Sequence, residues 1–296
     1  AGSPLKPYHH MDKETLNRQY SPSSCIDDIM VFINEYIDES EKARHASKDN
    51  LTADVKYGPE ERSNMDIFIP DDAKVKQNGP YPIHVFIHGG YWQELSKNES
   101  AFAAPNFIDH DIIFIALDYT LAPDASMHEI VDQIRRGIIS ILNNAHKFNG
   151  DAANITISGS SAGGHLVAEV LSTDWKAHGF DQCPLKGALA ISGIFDLEPI
   201  VDTYVNDPLK MTKKDAHELS PLHHIPDDSC PIIFTVGENE TSEFHRQTAE
   251  YMVACNEKGI PTSYIEMPIF NHFDIVMNLN NKESPLFQAV LSQIRS

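Results

Sequence analysis

Apolar positions recur along this chain with two different periods. In the segment 23–48, Ile26, Met30, Ile33 and Ile37 fall near a 3.6-residue repeat, which predicts a helix. Beyond it, short apolar runs alternate with helical stretches. Strands are expected over 64–69, 83–87, 112–117, 155–158, 185–191, 232–236 and 263–267, the second apolar except for His84. Helices are expected over 127–148, where Ile130, Ile134, Ile138 and Ile141 share a face, over 162–171, and over 244–256. Apolar strands interleaved with amphipathic helices imply a mainly parallel sheet covered on both faces, an α/β architecture. The stretch 196–225 is rich in Pro, Asp and His and breaks the alternation, so it is expected as a cap insertion over the carboxyl edge of the sheet. One domain over 1–296, with a helical N-terminal segment over 1–50, accounts for the whole pattern.

Charge removes several function classes. With 23 Lys+Arg against 43 Asp+Glu, the formal charge is −20. That field repels phosphate backbones and anionic lipids, so neither nucleic acid nor a membrane is an expected partner. No apolar run approaches the roughly 20 residues that cross a bilayer. Cys25, Cys183, Cys230 and Cys255 are scattered and form no C-x-x-C pair. Together with a polar first thirty residues lacking an apolar signal core, they point to the cytoplasm. The N-x-[ST] sequons at Asn50, Asn98, Asn154 and Asn239 are then chance matches.

The strongest chemical signal is Gly159-Ser160-Ser161-Ala162-Gly163, a G-x-S-x-G between an apolar strand and a helix. Such a turn holds its serine at strained dihedrals, with neighbouring backbones too close for a Cβ, and presents Ser161 Oγ at the top of the sheet. The stretch is no phosphate loop, because His165 and Leu166 stand where Lys and Ser/Thr are required. The second signal is His88-Gly89-Gly90-Tyr91-Trp92, directly after a strand. Acyl transfer builds a tetrahedral oxyanion that needs fixed donors. The backbone N–H groups of Gly90, Tyr91 and Ala162 are the expected ones.

The base follows by elimination. On an α/β sheet this chemistry runs in the order serine, acid, histidine. Of 15 histidines, His245 and His272 lie late enough, and His245 sits inside a predicted helix. His272, in a loop after the last strand, is the expected base. For the acid, Glu240 in the turn Gly237-Glu238-Asn239-Glu240 is preferred, and Asp196 after the strand 185–191 is the rival. Tyr91, Trp92, Phe270 and Phe273 fall in the loops expected to rim the pocket, and Trp92, Phe270 and Phe273 are the expected substrate contacts. No metal is implied: after His128-Glu129 and His217-Glu218, Asp132 and Pro221 occupy the positions where a second His is needed. His165 is expected as a packed histidine one turn into the helix.

HGGYWQ and GSSAGGHL together resemble the α/β-hydrolase kynurenine formamidases (arylformamidases), near the hormone-sensitive-lipase type of esterase. Similar stretches are QYSPS around Tyr20, SKNESAF at 96–102, SGIFDLEPI at 192–200, SEFHRQ at 242–247 and NHFDIV at 271–276. The resemblance spans about Thr15 to Asn280. It implies an α/β-hydrolase fold and a metal-independent, cofactor-free hydrolase that releases formate from N-formyl-L-kynurenine, a small-molecule substrate. It also matches Ser161 and His272 to the triad and suggests a homodimer. Two departures stand out: Glu240 replaces the family's Asp, and Ser160 replaces the His common before the nucleophile. They keep open a carboxylesterase acting on small aryl or short-chain acyl esters.

Overall fold

The computed structural model describes residues 4–296. Helices α1 (Lys13–Gln19) and α2 (Ile29–Ala46) lead into β1 (Leu51–Lys56), β2 (Asn64–Phe68) and β3 (Tyr81–Ile87). Next come α3 (Ala104–Ile108), β4 (Ile113–Leu117), α4 (Met127–Asn144), β5 (Gly150–Ser160), α5 (Ala162–Leu171) and β6 (Gly187–Ile191). Three short helices, α6 (Glu198–Val201), α7 (Asn206–Leu209) and α8 (Lys213–Glu218), precede β7 (Ile232–Thr235) and β8 (Gly237–Asn239). Then follow α9 (Ser242–Glu257), β9 (Thr262–Tyr264), β10 (Met267–Asn271) and α10 (Pro285–Arg295).

Eight strands form one sheet in the order β1-β2-β4-β3-β5-β6-β7-β9, in which β2 alone runs against the others. Parallel neighbours require crossovers, and the helices supply them on both faces. The period-2 alternation of a strand divides the core in two. Ile83, Val85 and Ile87 of β3 join the cluster that includes Ile130, Ile134, Ile138 and Ile141 of α4. Phe86 points the other way, into the cluster of Phe107 from α3 and Leu286, Phe287 and Val290 from α10. α4 starts at a capping box of Ser126 and Glu129, and α5 is buried on every side. His84 lies on the second face, hydrogen-bonded to Thr156 and Ser158 of β5 and stacked on Phe107.

The structure departs from the sequence pattern at informative places. The expected helix over 23–48 begins only at Ile29, where Asp28 caps it by accepting the Met30 N–H; Pro22–Cys25 form a separate 3-10 turn. The expected strand over 263–267 is split, with β9 on the main sheet and β10 paired with β8 in a two-stranded parallel ribbon. β1, whose largely exposed edge residues carry no apolar signal, and α10 add to the elements the pattern predicts. Among the described residues, no helix is long and apolar enough to cross a membrane.

Candidate active site

Ser161 sits between β5 and α5 with φ 59° and ψ −116°, a left-handed conformation costly for a residue with a side chain. Its N–H donates to Ile191 O at 2.8 Å, tying the turn to β6. Two glycines make the geometry possible. A Cβ on Gly163 would lie 2.0 Å from Ile87 O, and one on Gly89 would lie 2.6 Å from Ser160 O. The serine turn and the loop after β3 therefore touch backbone to backbone, which only glycine permits.

His272 follows β10 and is buried, its ring packed between Phe244 and Phe273. Its Nε2 is 2.9 Å from Ser161 Oγ and its Nδ1 is 2.5 Å from Glu240 Oε1. The other carboxylate oxygen, Oε2, accepts from Ser192 Oγ at 2.5 Å and from Gly237 N–H at 2.7 Å. Glu240 is thus clamped by the loop after β6 and the start of β8. The rival Asp196 makes no hydrogen bond to His272. Its carboxylate accepts from Tyr8 Oη and Glu198 N–H, and burial pushes its pKa up.

The loop after β3 has three consecutive residues at positive φ: Gly90 at 102°, Tyr91 at 51° and Trp92 at 62°. Gly90 O accepts from the Gln93 and Glu94 N–H groups, whereas among the described residues no acceptor takes the N–H of Gly90, Tyr91 or Ala162. Unspent donors beside a strained serine, at the N-terminus of α5, are suited to a developing negative charge. His88 anchors the loop from behind. Its Nδ1 is 2.7 Å from Gly89 O and its Nε2 3.2 Å from Asp118 Oδ1, and its ring stacks on Tyr119. Burial works against the Asp118 carboxylate, but hydrogen bonds from His88 and Arg62 hold its pKa below the usual value.

A cavity of about 270 Å³ opens above Ser161 and His272. Phe86, Phe102, Tyr36, Ile33, Phe273 and Val276 make its apolar walls. Pro22 and Ser23 from the 3-10 turn, with Tyr204 and Val205 from the 196–225 stretch, also line it. Of the aromatic contacts expected from the sequence, Phe273 and Tyr91 do line the cavity. Trp92 and Phe270, also expected there, do not line it. Trp92 is fully buried beneath the loop, where Nε1 donates to His165 Nδ1 at 3.1 Å, while His165 Nε2 donates to Leu219 O at 2.8 Å. Burial lowers the His165 pKa, which suits a neutral ring that accepts on one nitrogen and donates on the other. Phe270 lies on β10 and packs against the α10-side core.

The wall contributed by residues 22–36 lies outside the catalytic motifs. Its signal was present in QYSPS, as SGIFDLEPI contained the clamp residue Ser192. Elsewhere, His128 meets Asp215 and Glu218, with ligand atoms within 4.8 Å of one another. This is a largely solvated group bound by a 2.9 Å contact from His128 to Glu218, apart from the residues lining the cavity.

The BD-FAE family profile matches residues 65–252. Kynurenine formamidase of Danio rerio is 34% identical over 98% of this chain and 99% of that protein, and kynurenine formamidase of Salmo salar is 33% identical over 96% and 97%. Among solved structures, a putative thioesterase from Silicibacter sp. superposes with a TM-score of 0.82 at 24% identity, covering 95% of this chain and 99% of that one, a likeness of fold.

Proposed function

The chain belongs to the kynurenine formamidase family of α/β-hydrolases, and from that membership we propose that it hydrolyses an aryl formamide of the N-formyl-L-kynurenine type through a formyl-enzyme. One observation carries the reading: Ser161 Oγ, His272 Nε2, His272 Nδ1 and Glu240 Oε1 form a continuous hydrogen-bonded line at the cavity floor. His272 takes the Ser161 proton as Oγ attacks the formyl carbon. The oxyanion rests on the Gly90, Tyr91 and Ala162 N–H groups. His272 then hands the proton to the leaving aryl amine. Water, deprotonated by the same imidazole, attacks the formyl ester, and the imidazolium returns that proton to Ser161 Oγ as the ester C–O bond breaks and formate leaves. Glu240 holds the imidazole in the productive tautomer and balances its charge in the transition state.

The aromatic cavity wall supports a planar aryl leaving group. We read 1–296 as one domain in which residues 22–36 of the N-terminal segment, with Tyr204 and Val205 of the stretch 196–225, roof the site. The scattered cysteines support a cytoplasmic location, and the family resemblance is the support for a homodimer.

The test is kcat/KM for N-formyl-L-kynurenine beside p-nitrophenyl acetate, on wild type and Ser161→Ala. A preference for the formamide, lost in the variant, is expected. Ester turnover without formamide turnover would retain the mechanism and favour the carboxylesterase reading; a Ser161→Ala enzyme with more than trace activity would remove Ser161 as nucleophile.

A further inference from the structure

Two loops at the carboxyl edge of the sheet decide the chemistry proposed above: the loop after β3 with the oxyanion donors, and the turn after β8 with Glu240. Both are bound to the same two consecutive residues near the N-terminus. Tyr91 Oη donates to Tyr20 O at 2.5 Å. Gln19 O accepts from Thr241 Oγ1 at 2.6 Å, and Gln19 Oε1 accepts from Ser242 Oγ and from Glu243 N–H, each at 3.0 Å. Thr241, Ser242 and Glu243 directly follow Glu240.

The side chain of Tyr20, fully buried, extends the same tie. Its Oη donates to Glu243 Oε1 at 2.8 Å and accepts from Gln247 Nε2 at 3.0 Å. Gln247 Oε1 in turn accepts from the Phe195 and Asp196 N–H groups, each at 3.0 Å, in the stretch that begins with the Glu240 partner Ser192.

Tyr91 holds φ 51°, a conformation that a residue with a Cβ keeps only where its surroundings over-determine it. The part-buried Oη strut to Tyr20 is one such constraint. Relaxation of Tyr91 to negative φ would reorient the peptide units of the loop and turn its N–H away from the oxyanion position. Gln19 acts in parallel on the other loop, fixing the residues next to Glu240.

We propose that Gln19 and Tyr20 form a clasp that positions the oxyanion loop and the acid turn against each other, with Tyr91 Oη as its hold on the first. The proposal rests on the reading of Ser161 and the donor loop given above. Tyr91 itself lines the cavity, but its Oη is committed to Tyr20 O; Gln19 and Tyr20 act through Tyr91 N–H and Glu240, as positioning residues.

Tyr91→Phe removes one oxygen and keeps the ring. Its kcat on whichever of the two substrates wild type turns over is expected to fall about tenfold, the effect of one positioning hydrogen bond, with KM within about twofold. Inhibition by an arylboronic acid, which forms a tetrahedral adduct on the serine, should weaken by a similar factor. Gln19→Ala should lower kcat severalfold by the second route. Ile141→Val, a core trim on α4 remote from the cavity, supplies the control for any loss of Tm. It should keep wild-type kcat and boronate affinity. Wild-type kcat and boronate affinity in Tyr91→Phe would overturn the clasp, as would an equal loss in Ile141→Val at matched Tm. With Ser161→Ala inactive, those results remove the clasp alone; an active Ser161→Ala removes the reading of the site and the clasp with it.

Discussion

Replacing Glu240 by Gln changes one oxygen for an amide nitrogen, and the surroundings decide which end it occupies. In the native site Oε2 accepts from Ser192 Oγ and Gly237 N–H, while Oε1 meets His272 Nδ1. A serine hydroxyl can turn round and accept, but a backbone N–H can only donate. The amide oxygen must therefore stay at the Gly237 side, which directs the NH2 at His272 Nδ1. Nδ1 then has to accept, the ring proton moves to Nε2, and Nε2 can no longer take the proton of Ser161. A wrong tautomer in this role lowers kcat by about 10⁴-fold, or ~5.5 kcal/mol in the barrier. Because packing and the two clamp bonds survive, Tm should shift by only a few degrees. The assay is kynurenine release from N-formyl-L-kynurenine, with thermal unfolding on the same samples. Asp196→Asn is the contrast: its carboxylate serves Tyr8 and Glu198, so kcat should stay within about threefold of wild type. A Glu240→Gln enzyme retaining a tenth of its activity, or an Asp196→Asn enzyme crippled at unchanged Tm, would refute the assignment of the acid.

Two further outcomes follow from packing and from burial. Gly89→Ala places a Cβ 2.6 Å from Ser160 O and 3.3 Å from Ser161 Cβ, so the donor loop must lift off the serine turn. A fall in kcat/KM of about 100-fold is expected, comparable with losing one oxyanion donor, and activity near wild type would contradict the close approach of the two loops. Burial pushes the His84 imidazole down to about 3, so the folded protein keeps it neutral while the unfolded chain protonates it below about pH 6.5. The unfolded state binds the extra proton, so stability is lost as pH falls through that window, by up to about 1.4 kcal/mol per unit for this group. Denaturant titrations of wild type and His84→Gln between pH 6 and 4 should converge as pH falls; parallel curves would show that His84 does not carry the dependence.

Much of the architecture was legible along the chain because it is written in local terms. Strand alternation has a period of two residues, so Ile83, Val85 and Ile87 against Phe86 already assign the two faces of β3. The serine turn is equally local, since its glycines answer contacts within a few residues and one neighbouring strand. Other features depended on which distant segments come together. Among 43 acids, the place after the strand 232–236 favours Glu240 but leaves Asp196 open; the 2.5 Å contact to His272 decides, because it depends on the split that sends β10 to pair with β8. Trp92 reads as a pocket aromatic by position, yet the positive φ of the loop turns it inward to His165. The helical stretch at the N-terminus shows an apolar period but not its destination, a cavity wall more than a hundred residues from the serine it covers. Periodicity records which face of an element is buried. What it is buried against is set by long-range packing, which leaves no short-range trace in the order of residues.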